Sequence, residues 1–321
     1  MNSEENKTKT YTVAFYNLEN LFDIYNDHSK HDDDFLPKAD KRWTKKRYDR
    51  KLFKLSQVIS KIGFENTQQP PSIVGLAEVE NKNVLRDLID SKDLESYDYG
   101  IVHYNSQDER GIDVALIYDK TVFTVVNSKT FSIYIEDEFG EQDYTRDILL
   151  VSGVLHSEKV HCIVNHWPSR REGEKESMHK RLKAAQKVVE VIDTIKEEDP
   201  NAKLLVMGDF NDNPSNESIK FLSEKGALYN PMETMLSYSR GSLNHKFKWN
   251  LFDQILFSTN FFEIQKDKLR FDEANIFDEK FLTEYKGKFK GQPFRTYVGK
   301  KYKGGYSDHF PVYIQLNVSE K

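Results

Sequence analysis

The chain has 321 residues, of which 38% are hydrophobic and 13% aromatic, so it is long and apolar enough to bury a sizeable core. Charged residues make up 31% and the formal net charge is -5, which gives no overall basic signature of a protein that binds nucleic acid stably. A single cysteine, Cys162, excludes an internal disulfide framework.

The polar N-terminus, residues 1–10, is predicted to be a disordered tail. Residues 11–321 are predicted to form a single domain, because no repeat or linker divides them. No stretch is long and apolar enough to cross a membrane, so a soluble protein is expected, either cytoplasmic or exported with its signal removed. No stable protein partner is implied, and a monomer is expected.

Short apolar runs predict buried β-strands, and longer runs with apolar residues every three to four positions predict helices. The predicted strands are 11–16, 72–77, 97–104, 112–118, 121–135 (with a turn near 127–128), 147–155, 160–165, 204–207, 252–257 and a last strand within 307–314. The predicted helices are 44–62, 83–94, 178–198 and 216–222. This mixture of buried strands and helices favours the α/β class.

Polar side chains lie at the ends of several of these strands. The clearest case is LLVMGDFNDN at 204–213, where the apolar run ends in Asp209 and Asn211. The other strand-end residues are Asn17, Glu78, His166, Asp253, Asp308 and His309. Because α/β proteins bind ligands at the ends of strands, we expect these side chains to form one site. Turn chemistry, which Asp and Asn favour, is the alternative for each motif taken alone.

These residue types indicate phosphate chemistry assisted by a metal. Carboxylates such as Glu78 and Asp308 are hard oxygen ligands, which suit Mg²⁺ or Mn²⁺. An Asp–His pair orients an imidazole and holds one tautomer. The guanidinium groups of Arg110, Arg146 and Arg170 can clamp a phosphate with two parallel hydrogen bonds. Because cysteine ligands are lacking, a structural zinc site is not expected.

Six segments carry a resemblance to a known family. In chain order they read FYN, GLAEVE, VNHWPSR, MGDFND, FDQILFS and YSDHFPV. Together they resemble the endonuclease/exonuclease/phosphatase superfamily, whose type case is the pancreatic-type deoxyribonuclease, and the similarity covers nearly the whole chain. The resemblance implies a four-layer α/β sandwich, in which two packed mixed β-sheets are flanked by helices. The site would then lie at one edge of the two central sheets.

The resemblance also implies roles for the strand-end residues. Glu78 would bind the divalent metal, Mg²⁺ or Mn²⁺, with Asn17 and Asp308 nearby. Asp209 would orient or deprotonate the attacking water, while Asn211 would stabilise the pentacovalent phosphate.

Two histidines complete the set that the resemblance implies. His309, held by Asp253, would touch the scissile phosphate, and His166 would act on the other side as a donor or as the acid for the leaving group. Arg146 matches a phosphate-contacting arginine of the deoxyribonuclease branch. Gln107 departs from that branch, which tends to carry a tyrosine there, so its substrate contacts do not transfer in detail.

The favoured function is a divalent-metal-dependent nuclease or phosphodiesterase, in which activated water attacks the phosphodiester in line. A phosphatase or phospholipase C-like hydrolase of inositol phosphates, nucleotides or sphingolipids is the alternative, and a non-catalytic binding module is less favoured. Residues 23–43 and the basic loop Lys286–Gly305 have no counterpart in the pancreatic enzyme. The loop Lys286–Gly305 is predicted to determine specificity, unless it is simply solvated.

Overall fold

The computed structural model describes residues 8–136, 139–171 and 173–319. Residues 1–7 of the predicted tail lie outside this range. Residues 8–10 are not part of a tail, because the first strand already begins at Thr8 and pairs with the last strand. The hydroxyl of Thr10 donates to Asn317 Oδ1 at 2.7 Å, which supports this early start.

Along the chain, α-helices separate some of the strands, and elsewhere strands follow one another directly. The first strands are β1 (Thr8–Leu21), β2 (Ile73–Val79), β3 (Tyr99–His103), β4 (Asp113–Asp119), β5 (Phe123–Phe131), β6 (Ile148–Leu155), β7 (Glu158–His166) and β8 (Lys203–Asp209). They are followed by β9 (Leu228–Tyr229), β10 (Leu243–His245), β11 (Lys248–Asn250), β12 (Asp253–Ser258), β13 (Arg270–Ile276), β14 (Tyr297–Val298), β15 (Lys301–Tyr302) and β16 (Val312–Ser319). The helices are α1 (Lys45–Ile59), α2 (Phe64–Thr67), α3 (Lys82–Ile89), α4 (Met178–Glu198) and α5 (Glu217–Gly226). Short 3-10 turns span Asp33–Phe35, Pro231–Thr234, Thr259–Phe262 and Lys280–Leu282.

Within the described residues, two mixed six-stranded sheets dominate the fold. The first has the order β13-β16-β1-β2-β4-β3, and the second has the order β5-β6-β7-β8-β12-β9. Each sheet contains one parallel pair, β1 with β2 and β7 with β8. In each pair a helix, α1 or α4, connects the two strands, as parallel neighbours require.

The two sheets pack face to face and helices cover their outer faces, which confirms the predicted four-layer sandwich. The position of β8 between two layers explains why its sequence is apolar throughout. Leu205 and Met207 belong to the core that includes both sheets, whereas Leu204 and Val206 pack under α4 and α5. Successive side chains point to opposite faces, so a strand covered on both sides must be continuously apolar. Each such buried side chain contributes about 1.5–3 kcal/mol.

Several predicted boundaries differ from the structure. Helix α4 has the predicted bounds, but α3 ends at Ile89, five residues before the predicted end. The turn expected near 127–128 is wrong, because β5 continues through that point with a register irregularity between Val125 and Asn127. The last strand, β16, begins at Val312, so Asp308 and His309 lie in the loop that precedes it. Among the described residues, no helix is both long and apolar enough to cross a bilayer.

Candidate active site

The carboxyl ends of the parallel strands from both sheets meet at one edge of the sandwich. In the second sheet, Asp209 is paired across the strands with His166 on one side and with Asp253 on the other. The first sheet contributes Asn17, whose Nδ2 donates to Asp209 Oδ2 at 3.0 Å. This bond links β1 to β8 and therefore joins the two sheets at the candidate site.

Gly208 is required by the close packing of β7 against β8. A Cβ atom at this position would lie 2.5 Å from the carbonyl oxygen of Asn165. Only glycine therefore allows β8 to approach β7 closely just before Asp209. This close approach explains why glycine, and not another small residue, precedes Asp209 in the motif.

Asp253, His309 and Asp209 form a buried charged group. His309 Nδ1 and Asp253 Oδ2 are 2.7 Å apart, and His309 Nε2 lies 3.9 Å from Asp209 Oδ2. Burial disfavours the imidazolium, but the carboxylates of Asp253 and Asp209 outweigh it and raise the pKa of His309 well above its ordinary value. Burial also raises the pKa of Asp209 to about 7, an effect that Asp253 reinforces and His309 opposes. The group therefore holds a charged imidazole beside a carboxyl that titrates near neutrality.

Asn211 is held by the turn that follows β8. Its backbone N–H donates to Asp209 Oδ1 at 3.0 Å, and its Nδ2 donates to the carbonyl oxygen of Trp167 at 3.0 Å. Its φ of 52° is left-handed, which asparagine tolerates better than most residues. Phe210 anchors the turn because its ring packs edge-on against Trp167, with centroids 4.6 Å apart. The turn thus places Asn211 beside Asp209.

Glu78 is presented by irregular backbone. Glu78, Asn20 and Glu19 all have left-handed φ values, of 62°, 54° and 53°. The register of β1 against β2 shifts between Asn17 and Leu21. Irregularities of this kind re-aim side chains next to active sites, and each left-handed residue stores about 1–3 kcal/mol of strain. The result is that Asn20 N–H donates to Glu78 Oε2 at 2.7 Å.

The first-sheet side of the site carries oxygen donors that suit a divalent metal. Both Glu78 and Asp308 act electrostatically on Lys51 and on Arg295, so the two carboxylates share one neighbourhood. Carboxylate oxygens are the ligands that Mg²⁺ and Mn²⁺ prefer. Asn17 is already engaged through both side-chain atoms, because its Oδ1 also accepts the N–H of Glu19 at 2.9 Å.

A second set of side chains has ligand atoms close enough together to coordinate a metal. The ligand atoms of Asp209, Asp253 and His309 all lie within 4.8 Å of one another. A metal at this point would compete with the 2.7 Å contact between Asp253 and His309. Asp253 Oδ1 makes no hydrogen bond to the described residues, but a metal bound there would lie beside the imidazole of His309, whose pKa is raised well above its ordinary value. The donor chemistry at Glu78 and Asp308 therefore fits the metal better.

Two of the three predicted phosphate-binding arginines lie close to the site. Arg146 is buried and donates to Asp108 Oδ2 at 3.1 Å and to the carbonyl oxygen of Trp167 at 2.8 Å. Arg110 donates to Asn20 Oδ1 at 2.7 Å. Burial first, and then these two arginines, lower the pKa of His166 well below its ordinary value. His166 is therefore neutral at physiological pH and can donate one N–H, which fits the donor role better than that of a charged acid.

Arg170 bonds to protein groups and does not lie free for the phosphate contact that its motif predicts. It donates to Asp212 Oδ1 at 2.6 Å, to Asn216 Oδ1 at 3.0 Å and to the carbonyl oxygen of Asn211 at 2.6 Å. These bonds hold the turn after β8. The predicted contact of Arg170 with the substrate would therefore need guanidinium N–H donors that are already engaged. The neighbouring Arg171 is exposed and acts electrostatically on His166.

Two functional candidates, Glu19 and Lys51, were not identified from the sequence, and Arg295 was identified only as one cation of the loop Lys286–Gly305. Glu19 is buried, and its carboxylate accepts the backbone N–H groups of Thr296 at 2.6 Å and Tyr297 at 3.2 Å. Lys51 is only 2% exposed. A signal for Lys51 was present, because it lies on the apolar face of α1, where a lysine needs a partner. Glu19 and Arg295 carry no comparable local signal.

Residues 12–318 match the sequence model of the Endonuclease/Exonuclease/phosphatase family. The chain belongs to this family. The match covers every strand-end residue described above and confirms the family resemblance of the six motifs. No curated protein sequence matches the chain.

Solved structures with this fold come from bacteria and animals. A family member from Bacteroides thetaiotaomicron superimposes with a TM-score of 0.59 at 17% identity, over 98% of this chain and 97% of that one. A truncated TDP2 from Caenorhabditis elegans gives 0.59 at 15% identity, over 96% and 97%. The mannosyl-6-phosphatase of Bacteroides thetaiotaomicron gives 0.56 at 18% identity, over 95% and 99%. At these identities the likeness establishes the fold.

Proposed function

We propose that this family member is a divalent-metal-dependent phosphoester hydrolase whose favoured substrate is a phosphodiester, nucleic acid included. The observation that carries the proposal is the buried group of Asp209, Asp253 and His309, which combines a charged imidazole with a carboxyl of near-neutral pKa. Perturbed groups of opposite function in one cleft are typical of acid–base catalysis.

Asp209 is the proposed base for the attacking water. Its pKa of about 7 lets the carboxylate accept a proton while enough of it is ionised at neutral pH. The side chain cannot rotate freely, because Asn17 donates to Oδ2 and the Asn211 backbone donates to Oδ1. A fixed orientation lets the base meet the water without reorganisation.

His309 and Asn211 are the proposed stabilisers of the charge that develops on the phosphoryl oxygens. Asp253 takes the Nδ1 side of the His309 ring, which leaves Nε2–H as the donor to the substrate. On the opposite side, neutral His166 offers an N–H to the leaving oxygen. Preorganised donors of this kind usually contribute the largest part of the rate enhancement.

Glu78 and Asp308 would hold Mg²⁺ or Mn²⁺. When bound, such an ion withdraws charge from the phosphoryl oxygens. Arg110 and Arg146 would contact the phosphate from the side of His166, and exposed Arg171, which acts electrostatically on His166, would extend this contact. Arg170 would act indirectly, by holding the turn that carries Asn211.

A small phosphoester is the second candidate substrate, and one observation favours it. The loop Lys286–Gly305 was predicted to choose the substrate, but three of its seven cations form ion pairs within the protein. Arg295 pairs with Asp308, Lys300 with Asp40, and Lys303 with Glu284. A loop in which part of the positive charge is paired internally attracts a nucleic-acid backbone less strongly than its sequence suggests.

Hydrolysis of plasmid DNA, bis(p-nitrophenyl) phosphate and p-nitrophenyl phosphate, each with Mg²⁺, Mn²⁺ or EDTA, tests the proposal. We expect turnover that EDTA abolishes and that Asp209→Ala and His309→Ala each nearly eliminate. Asp98→Asn, at an exposed ion pair with Lys120, serves as the control and should retain full activity. Near-normal rates in both active-site variants would overturn the site assignment.

Substrate preference and salt dependence then separate the two candidates. DNA nicking that falls steeply with added salt would identify a polymer substrate, since each phosphate contact releases counterions. Absence of nicking, combined with metal-dependent and salt-insensitive turnover of a small ester, would identify the second candidate instead.

A further inference from the structure

Arg295 lies against two acidic residues at the edge of the candidate site. It comes from the loop Lys286–Gly305 and its guanidinium donates to Asp308 Oδ2. Its Nε faces Glu19 Oε1 at 3.7 Å. The side chain is 42% exposed, so it lies at the rim of the site and not in the core.

The loop around Arg295 is held in place by buried polar groups. The Glu19 carboxylate accepts two successive backbone N–H groups, those of Thr296 and Tyr297. Lys51 Nζ donates to Thr296 Oγ1 at 2.6 Å and to the carbonyl oxygen of Tyr306 at 2.5 Å. Because these anchors are buried and bonded on both sides, the backbone of Arg295 has a defined position.

The surrounding charges tie Arg295 to carboxylates. Three of them, those of Glu19, Asp308 and Glu78, act electrostatically on the two cations, Lys51 and Arg295. Removing Arg295 would increase the excess of negative charge around Asp308, which is unfavourable where the groups are partly buried. Arg295 is therefore tied to the acidic groups and is not a free cation for substrate.

Arg295 bonds one oxygen of Asp308 and leaves the other directed toward the catalytic group. Asp308 Oδ2 takes the guanidinium, while Oδ1 lies 4.0 Å from His309 Nε2. A carboxylate held in this way presents a single, oriented oxygen, as ligand carboxylates do when an outer residue hydrogen-bonds them.

We propose that Arg295 is a positioning residue for the metal site: from its Glu19-anchored loop it orients the Asp308 carboxylate so that Oδ1 is presented to a divalent cation. The inference rests on the proposed assignment of Asp308 to the metal. It differs from a role in substrate choice, because Arg295 acts through Asp308 and not on the phosphoester.

Mn²⁺ affinity, measured by isothermal titration calorimetry without substrate, tests the inference. Arg295→Gln should weaken Mn²⁺ binding about 10–100-fold, the usual cost of losing an outer-shell partner. Arg295→Lys keeps the charge and can supply the one bond that Asp308 accepts, so it should recover most of the affinity. Lys120→Gln removes a cation from an exposed pair elsewhere and should leave the affinity unchanged.

An increase in the Mn²⁺ affinity of Arg295→Gln, or no change in it, would overturn the inference. If Arg295 merely competes with the cation for Asp308, Arg295→Gln will bind Mn²⁺ more tightly, and if it has no role the affinity will not change. Arg295→Met, which keeps the aliphatic stem, provides the same measurement should the Gln variant fail to fold.

Asp308→Asn separates this inference from the proposed function. Unchanged Mn²⁺ affinity in Asp308→Asn would remove Asp308 from the metal site and refute that part of the proposed function. A loss in Asp308→Asn without a loss in Arg295→Gln would refute the role of Arg295 alone.

Discussion

Replacement of Asp253 by Asn removes one charge from the buried group of Asp209, Asp253 and His309 and keeps the size of the side chain. Asp253 Oδ2 is 2.7 Å from His309 Nδ1, and the aspartate is fully buried. Breaking a buried ion pair typically costs about 3–5 kcal/mol. At about 1.4 kcal/mol per pKa unit, the pKa of His309 should fall by about 2–4 units. Asp209 Oδ2 lies 3.9 Å from His309 Nε2 and still stabilises the imidazolium. We therefore expect the pKa of His309 to fall by about 2 units, the lower end of that range.

The loss of charge on His309 should then lower turnover at neutral pH by about 10²–10⁴-fold, the usual contribution of a positioned acid or base. An NMR titration of the His309 ring nitrogens reports the pKa directly, and hydrolysis of bis(p-nitrophenyl) phosphate reports the rate. Asp98→Asn makes the same chemical change at an exposed site and is the matched control. An unchanged His309 pKa together with wild-type turnover in Asp253→Asn would refute the coupling between these groups.

Three further predictions concern the walls of the site. Arg170→Met should lower the free energy of unfolding by about 1–3 kcal/mol in denaturant titrations, because it removes one cation from buried Asp212 and the side-chain donor to the Asn211 carbonyl oxygen. Exposed Arg171→Met should change it by less than about 0.5 kcal/mol; equal effects would contradict the contacts described for Arg170. His166 should remain neutral throughout the physiological range in an NMR titration, since burial and Arg146 lower its pKa, and protonation near the ordinary value would contradict this. Gly208→Ala should destabilise the fold by about 1–3 kcal/mol through the clash with Asn165, and unchanged thermal stability would show that β7 and β8 can separate there.

Local sequence patterns predicted the elements that are buried in a regular way. The apolar run of β8 and the periodic face of α4 are each decided by neighbours within a few residues. Burial on one face or on both faces leaves a direct pattern of that kind. Elements without such a pattern were missed, among them β10, β11 and the edge strand β13.

The candidate site was predictable as a set of residue types at strand ends. Glycine, aspartate and asparagine after an apolar strand mark the point where a rigid sheet meets solvent, and the family resemblance supplied a pairing of Asp253 with His309. The structure brings these two residues together from positions 56 apart in the chain. It also accounts for Gly208, whose necessity depends on a neighbouring strand and not on its own sequence.

The sequence by itself determined which segments are buried and which polar residues end them, because both properties depend on the order of nearby side chains. Only the tertiary structure decided what each polar group binds. Arg170 is used within the turn after β8, Lys51 is buried beneath a distant loop, and Arg295 is turned onto Asp308. These choices depend on the directions of donors and acceptors from segments far apart in the chain, and hydrogen bonds and ion pairs are sensitive to such directions over a few tenths of an ångström.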